Sequence, residues 1–305
     1  MRYVIFPSTG WSVSVLSMGC WALGGQWGHL ERATIEATLG RAVDAGINLF
    51  DTADGYGLGA SEEALGRFFA GRRHQFLIST KAGYWGMRQG HRLAYTSPLH
   101  VQLCCDASLH RLRTDYIDLY HCHLALPTPA ETEVFLTAFA ELKAAGKIRA
   151  FAISTDDPDS ARAFNRDGQC AAVQLDYNLV NREAEKTLLP WCTDHKIGTL
   201  IRTPLAQGLL TGKFTAQTVF SDQVRESWNT GEGHKRFLAR LAEVEKVRTL
   251  AAGRPLAAYA LRALLEHPAV TTLIPGAKSP AQLDDQLAAL ELEWTAADTK
   301  ALTLK

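Results

Sequence analysis

The chain has 305 residues, 47% of them hydrophobic and 21% charged, which is enough apolar material for a large core and excludes a disordered chain or a small disulfide scaffold. Lys plus Arg (32) balances Asp plus Glu (32), so no basic excess is present to attract nucleic acid or an anionic membrane surface. Cys20, Cys104, Cys105, Cys122, Cys170 and Cys192 form no C-x-x-C pair, and free thiols in a reducing cytoplasm are expected.

The opening MRYVIFPSTGWSVSV has neither the sustained apolar stretch nor the small-residue cleavage site of a signal peptide. No window of about 18 apolar residues is long enough to cross a membrane. The stretch before Val15 reads as a short β-hairpin, and residues 15–18 as the first strand of a longer series. A helix follows in which Ile35, Leu39 and Val43 are spaced four apart and share a face. It stops at Ala45-Gly46, since glycine past the last turn accepts the left-handed conformation. Further strands are expected at residues 48–51, 76–80 and 117–122. A helix starting near Pro129 aligns Phe135, Phe139 and Leu142 and stops at Ala145-Gly146. Strands at 150–154, 172–175, 199–202 and 272–274 complete eight. Thr295-Ala-Ala-Asp298 reads as the capping box of a short final helix.

Strands alternating with helices imply a parallel sheet. It closes either as an open doubly wound sheet or as a (β/α)8 TIM barrel. No G-x-G-x-x-G follows the first strand, and the unit count and length favour the barrel. The expectation is one barrel domain over 1–305, with the hairpin at its N-terminal end and a C-terminal helical and loop extension.

Such a barrel places its chemistry where strands end. The second strand ends at Asp51 and leads to Tyr56, the third ends near Lys81, and the fourth leads to His123. A tyrosine with a free pKa of about 10 is a poor acid at neutral pH. A buried ammonium beside it lowers that value, and a carboxylate keeps the ammonium charged. A shift of ~2–3 units corresponds to ~3–4 kcal/mol. A histidine can bond the same oxygen. The set makes a proton donor for a carbonyl oxygen gaining negative charge. No serine or cysteine is placed as nucleophile, so hydride from a nicotinamide is the natural partner.

These motifs resemble the aldo-keto reductase family. The matching stretches are Gly46-Ile-Asn-Leu-Phe-Asp-Thr-Ala-Asp-Gly-Tyr-Gly57 with Ser61-Glu-Glu, Ser79-Thr-Lys81, Asp115-Tyr-Ile-Asp-Leu-Tyr120 leading to His123, and Gly146-Lys-Ile-Arg149 with Ile153-Ser154. Pro204-Leu-Ala-Gln-Gly-Leu-Leu-Thr-Gly-Lys213 and Ile274-Pro-Gly-Ala-Lys278 follow. The resemblance covers nearly the whole chain and implies a (β/α)8 barrel binding NADP(H), with a catalytic tetrad of Asp51, Tyr56, Lys81 and His123.

The resemblance also implies cofactor positions. Ser154-Thr155 stands where the family has Ser-Asn, Gln174 matches the sixth-strand glutamine, and Arg202 replaces an aromatic residue that stacks on nicotinamide. Trp21 joins this group. Thr203, Leu205, Gln207, Lys213 and Arg225 fall where the pyrophosphate is cradled, and Gly276, Lys278, Gln282, Asp285 and Gln286 at adenosine-phosphate positions. Lys278 supplies a cation for a 2′-phosphate, so NADP(H) is preferred, with NAD(H) the alternative. Trp21, Trp27, Tyr84, Trp85 and residues 124–126 are pocket candidates, with Tyr84-Trp85-Gly86-Met87 the favoured wall. The insert between Phe214 and His234 reads as flexible, polar and lid-like. The partner implied is a small carbonyl substrate.

Three rivals stand beside this reading. His121-Cys122-His123 puts two imidazoles on one strand face, as in a metal-dependent barrel hydrolase, but the later strand ends offer no further histidine. His121 fits better one layer below His123 with a structural hydrogen bond. A cofactor-sensing protein with slow turnover would share the tetrad. A Schiff-base aldolase needs a depressed Lys81, which Asp51 opposes.

Overall fold

The computed structural model describes residues 1–303. Strands β1 (Tyr3–Ile5) and β2 (Ser12–Ser14) pair antiparallel as a hairpin. The next eight are β3 (Met18–Gly19), β4 (Leu49–Asp51), β5 (Leu77–Ala82), β6 (Ile117–Cys122), β7 (Ile148–Ser154), β8 (Ala172–Asp176), β9 (Gly198–Arg202) and β10 (Thr272–Leu273). Each lies parallel to its successor, and the bridges Leu16–Leu273 and Gly19–Gly276 join the ends into a ring. Helices α1 (Arg32–Asp44), α2 (Ala60–Phe68), α3 (Pro98–Leu112), α4 (Pro129–Ala144), α5 (Pro158–Phe164) and α6 (Leu188–Asp194) separate the first seven of these strands. The chain between β9 and β10 carries α7 (Gly231–Ala251) and α8 (Leu256–Leu265), and α9 (Pro280–Leu287) and α10 (Ala296–Thr303) follow β10. This is the (β/α)8 barrel read from the sequence, with its hairpin and its C-terminal helices.

All eight expected strands are present, but the first is displaced from 15–18 to Met18–Gly19. The residues before it already serve the closure. Ser17 N–H donates to the Leu273 carbonyl at 2.8 Å, and Leu273 N–H to the Val15 carbonyl at 3.0 Å. The hairpin plugs the N-terminal end of the barrel. Phe6 is fully buried against Val13, Leu49, Leu119, Ala172 and Leu200. A Cβ at Gly198 would lie 2.2 Å from the Phe6 ring, so glycine is what lets the plug seat.

The helices pack as their spacing requires. Leu39 is buried on α1, with Ile35 and Val43 beside it, and Phe135, Phe139 and Leu142 are buried on α4. Gly46 (φ +84°) and Gly146 (φ +71°) supply the left-handed stops. Thr295 N–H donates to Asp298 at 3.0 Å and Asp298 N–H to Thr295 at 3.2 Å, the reciprocal cap expected for α10.

The insert after β9 departs from expectation. Phe214, Phe220, Trp228 and Phe237 pack edge-to-face or stacked. The Asn229 side chain both donates to and accepts from the Phe220 backbone, each at 2.8 Å. An aromatic subcore underlies its exposed polar residues. Its rings follow no helix or strand period, so periodicity does not reveal it.

Candidate active site

Three neighbouring strands, β4, β5 and β6, bring the polar strand ends together. Along β5 side chains alternate, so Ser79 and Lys81 face the barrel axis while Thr80 faces outward. Thr80 donates to Glu62 of α2 at 2.5 Å, and Arg111 of α3 holds the other oxygen at 2.6 Å. That pair locks β5 against its helices from behind.

Lys81 is completely buried. Its Nζ lies 2.7 Å from Asp51 Oδ2, 2.6 Å from the Thr52 carbonyl and 3.5 Å from the Tyr56 hydroxyl. Three acceptors match the three donors of an ammonium. Burial pulls Lys81 down, but Asp51 and Tyr56 outweigh it and hold the amine above its ordinary value. Asp51 also accepts from Ser79 Oγ and from Gln174 Nε2, both at 2.8 Å. These bonds offset the cost of a buried ion pair.

Tyr56 differs from the expectation of a lowered pKa. Burial raises its phenol, and the opposing pull of Lys81 does not cancel that, so the hydroxyl stays above its ordinary value. The phenol is therefore a held proton. His123 sits edge-on to Tyr56, ring centroids 6.0 Å apart, at the mouth of the site. Burial and the charges of Lys81 and Arg88 keep it well below the usual imidazole range, so it is neutral. Its ring meets no hydrogen-bond partner among the described residues, and Nδ1 is buried. His121 lies below it with Nε2 2.8 Å from Ser79 Oγ. Since Ser79 gives its proton to Asp51, His121 is the donor in that contact.

The later strand ends carry the other predicted residues. Ser154, the last residue of β7, and Thr155 after it are buried, and Thr155 is committed to the Ala125 carbonyl at 2.6 Å. Arg202 is ion-paired with Asp156, and its charge also reaches His123. Thr203 (φ +50°) donates to Asp176, while the Leu205 side chain packs into both neighbouring apolar clusters. The Gln207 carbonyl accepts from Arg225 at 3.4 Å. Arg225 lies over Trp27, Phe214 and Phe220 and pairs with Asp222 at 2.7 Å. Lys213 and Asp285 stand 3.8 Å apart. The Lys278 amine donates to the Trp27 carbonyl at 2.8 Å, and its backbone N–H to Gln282 at 2.9 Å. Gln286 donates to the Gly276 carbonyl at 2.8 Å, and its Oε1 is buried without a partner.

Comparison with known proteins decides what this arrangement belongs to. The model described as "Aldo/keto reductase family" matches residues 15–304. The chain belongs to the aldo/keto reductase family. It is 34% identical to "Aldo-keto reductase YhdN" of Bacillus subtilis, covering 93% of this chain and 87% of that protein. It is 32% identical to the "NADH-specific methylglyoxal reductase" of Escherichia coli, over 98% and 96%. Among solved structures, aldo-keto reductase AKR11C1 from Bacillus halodurans (holo form) superposes with TM-score 0.83 at 26% identity, covering 100% of this chain and 96% of that one. An aldo-keto reductase from Klebsiella pneumoniae in complex with NADPH gives 0.75 at 26% identity, over 99% and 94%.

The pocket candidates of this aldo/keto reductase divide into two groups. Trp21 stacks on Tyr56 at 5.8 Å and Tyr84 packs on His123 at 5.1 Å, so both border the tetrad. Trp85 instead packs under Arg111, and Met87 and Leu126 are exposed. Gln174, expected at a cofactor position, donates to Asp51. Ser79 was missed as a support, although its place two residues before Lys81 puts it on the same face. Asp54 was also missed. Burial first, and Glu62 next, push its carboxyl up to about 7. Among the described residues no three His, Cys, Asp or Glu side chains gather as a metal site, and no helix is long and apolar enough to cross a membrane.

Proposed function

We propose that this aldo/keto reductase reversibly reduces an aldehyde or ketone to an alcohol, with NADP(H) preferred and NAD(H) accepted. The observation that carries the reading is the buried Lys81, 2.7 Å from Asp51 and 3.5 Å from the Tyr56 hydroxyl. The bound nicotinamide supplies the hydride that goes to the carbonyl carbon. Tyr56 gives its proton to the carbonyl oxygen as general acid. The phenolate left behind is stabilised by the Lys81 ammonium, which Asp51 keeps charged. Neutral His123 donates a hydrogen bond to the same oxygen as charge builds there. Ser79 and Gln174 hold Asp51 in register.

The residues present fit a dinucleotide. Gln286 Oε1 is a buried acceptor without a donor beside Gly276. Ser154 offers a hydroxyl at the end of β7. Lys213, Arg225 and Lys278 would meet the phosphates, with Thr203, Leu205 and Gln207 contributing their turn of backbone. Arg202, at the end of β9, would meet the nicotinamide through its planar guanidinium. Six free cysteines, five of them buried, support work in a reducing cytoplasm.

The test is fluorescence titration with NADPH and NADH, using the seven tryptophans as donors, followed by a carbonyl panel on the same sample. Tighter NADPH binding with turnover is expected. Binding without turnover on any carbonyl would shift the reading to cofactor sensing, and no binding to either nucleotide would overturn it.

A further inference from the structure

Arginines stacked on aromatic rings recur in this molecule, and nearly all have an acceptor. Arg73 and Arg149 pair with Asp118, Arg111 with Glu62, Arg225 with Asp222 and Arg254 with Asp298. Arg72 donates to the Phe68 carbonyl. Arg88 differs. Its guanidinium carbon lies 5.1 Å from the Trp21 ring and 4.8 Å from the Tyr84 ring. Yet no side-chain acceptor or carbonyl meets it among the described residues, and its Nε is buried without a partner. A guanidinium carries five donors, and a half-buried one left unpaired is costly unless something outside the protein takes them.

Its place gives the unpaired charge a meaning. Trp21 stacks on Tyr56 and Tyr84 packs on His123, so one ring separates Arg88 from each. Its stem runs along the backbone next to Tyr56, where a Cβ at Gly55 would lie 3.4 Å from Arg88 Cγ. The other cation whose charge reaches His123 from the rim, Arg202, is already neutralised by Asp156. Stacking fixes the plane of the Arg88 fork and leaves its edge for two parallel bonds to a carboxylate or phosphate.

We propose that Arg88 is the anion anchor of the substrate pocket, pairing with a carboxylate or phosphate carried on the same small molecule as the reacting carbonyl. The inference rests on the reductase reading and narrows its substrate class to short anionic aldehydes and ketones. Arg88 positions substrate and takes no part in hydride or proton transfer.

The test compares matched substrates in the wild type, Arg88→Met and Arg88→Lys. The pairs are succinic semialdehyde against butanal, and glyceraldehyde 3-phosphate against glyceraldehyde. The wild type is expected to favour the anionic member of at least one pair by about tenfold or more in kcat/KM, a step worth ~1.4 kcal/mol. The favoured pair tells carboxylate from phosphate. Arg88→Met should erase that ratio mainly through KM, and Arg88→Lys should keep part of it. No preference in the wild type, or an equal fall for both members in Arg88→Met, would overturn the anchor. A second readout needs no turnover. Succinate and inorganic phosphate are titrated against protein saturated with NADP+, followed by tryptophan fluorescence, since Trp21 lies under the guanidinium. Saturable quenching that Arg88→Met abolishes supports the anchor even if no carbonyl is reduced, and then it is the reductase reading that fails. Carbonyl reduction with an Arg88-independent ratio means the reverse.

Discussion

Around the catalytic rim, the sector from β4 to β6 and the sector from β7 to β10 are built differently. In the first, Asp51 and Lys81 are buried and bonded to each other, to Ser79 and to backbone. In the second, Arg202 and Lys213 are partly or largely open to solvent, each with a carboxylate of its own in Asp156 and Asp285, while Arg225 is mostly buried with Asp222. Buried charges that already point at one another need no reorganisation when a reaction develops charge. Exposed pairs contribute little, roughly 0–1 kcal/mol each, so a polyanionic ligand displaces their carboxylates at low cost. On the proposed function, the first sector would carry the chemistry and the second the exchange of cofactor.

Variants sharpen that contrast. Tyr56→Phe removes the held proton and should lower turnover by about 10²–10⁴-fold, the usual worth of a positioned acid. Single-turnover kinetics with a separate NADPH titration checks it, because affinity for the nucleotide should stay. Full activity in that variant would sink the acid assignment. Lys81→Met strands the Asp51 carboxylate and should cost about 3–5 kcal/mol in urea unfolding. Adding Asp51→Asn should return part of that loss, and an unchanged midpoint in Lys81→Met would show that the pair is not the buried unit described above.

Asp54 gives the same sector a pH signature. Its folded-state pKa of about 7 lies above the ordinary 3.8, so the folded chain holds the proton more tightly than the unfolded one. That contribution is complete below about pH 4 and is lost as pH rises through about 7, a span worth on the order of 4 kcal/mol. Asp54→Asn should flatten the fall in stability between these limits. Matching wild-type and variant curves from pH 4 to 8 would contradict it. The smallest effect belongs to the exchange sector. Lys278→Met should reduce the preference for NADPH over NADH by about tenfold, or ~1.4 kcal/mol, read as a ratio of dissociation constants. An unchanged ratio would move the 2′-phosphate contact to another residue.

How much of this was legible in the chain depends on the distance over which each feature is decided. Strand and helix alternation, the stops at Gly46 and Gly146 and the cap at Thr295 follow from local sterics and hydrogen bonding, and each appears where the residues place it. The identities of Asp51, Tyr56, Lys81 and His123 were legible because strand ends face one rim in a parallel barrel. The supports were not. Gln174 reaches Asp51 across 123 positions of chain, and Phe6 reaches Gly198 only after the hairpin has folded under the barrel. The aromatic subcore after β9 has no period to betray it.

By itself, then, the sequence determined the order of elements and the types of residue at each strand end, since both are fixed by neighbours a few positions away. Closure of the barrel decided the rest. It set how deeply Tyr56 is buried, which reversed the expected direction of its pKa. It placed Trp85 under Arg111 and Tyr84 against His123, and it left Arg88 against two rings with no carboxylate to meet it among the described residues. Burial and long-range pairing depend on which segments pack together, and no local pattern encodes that.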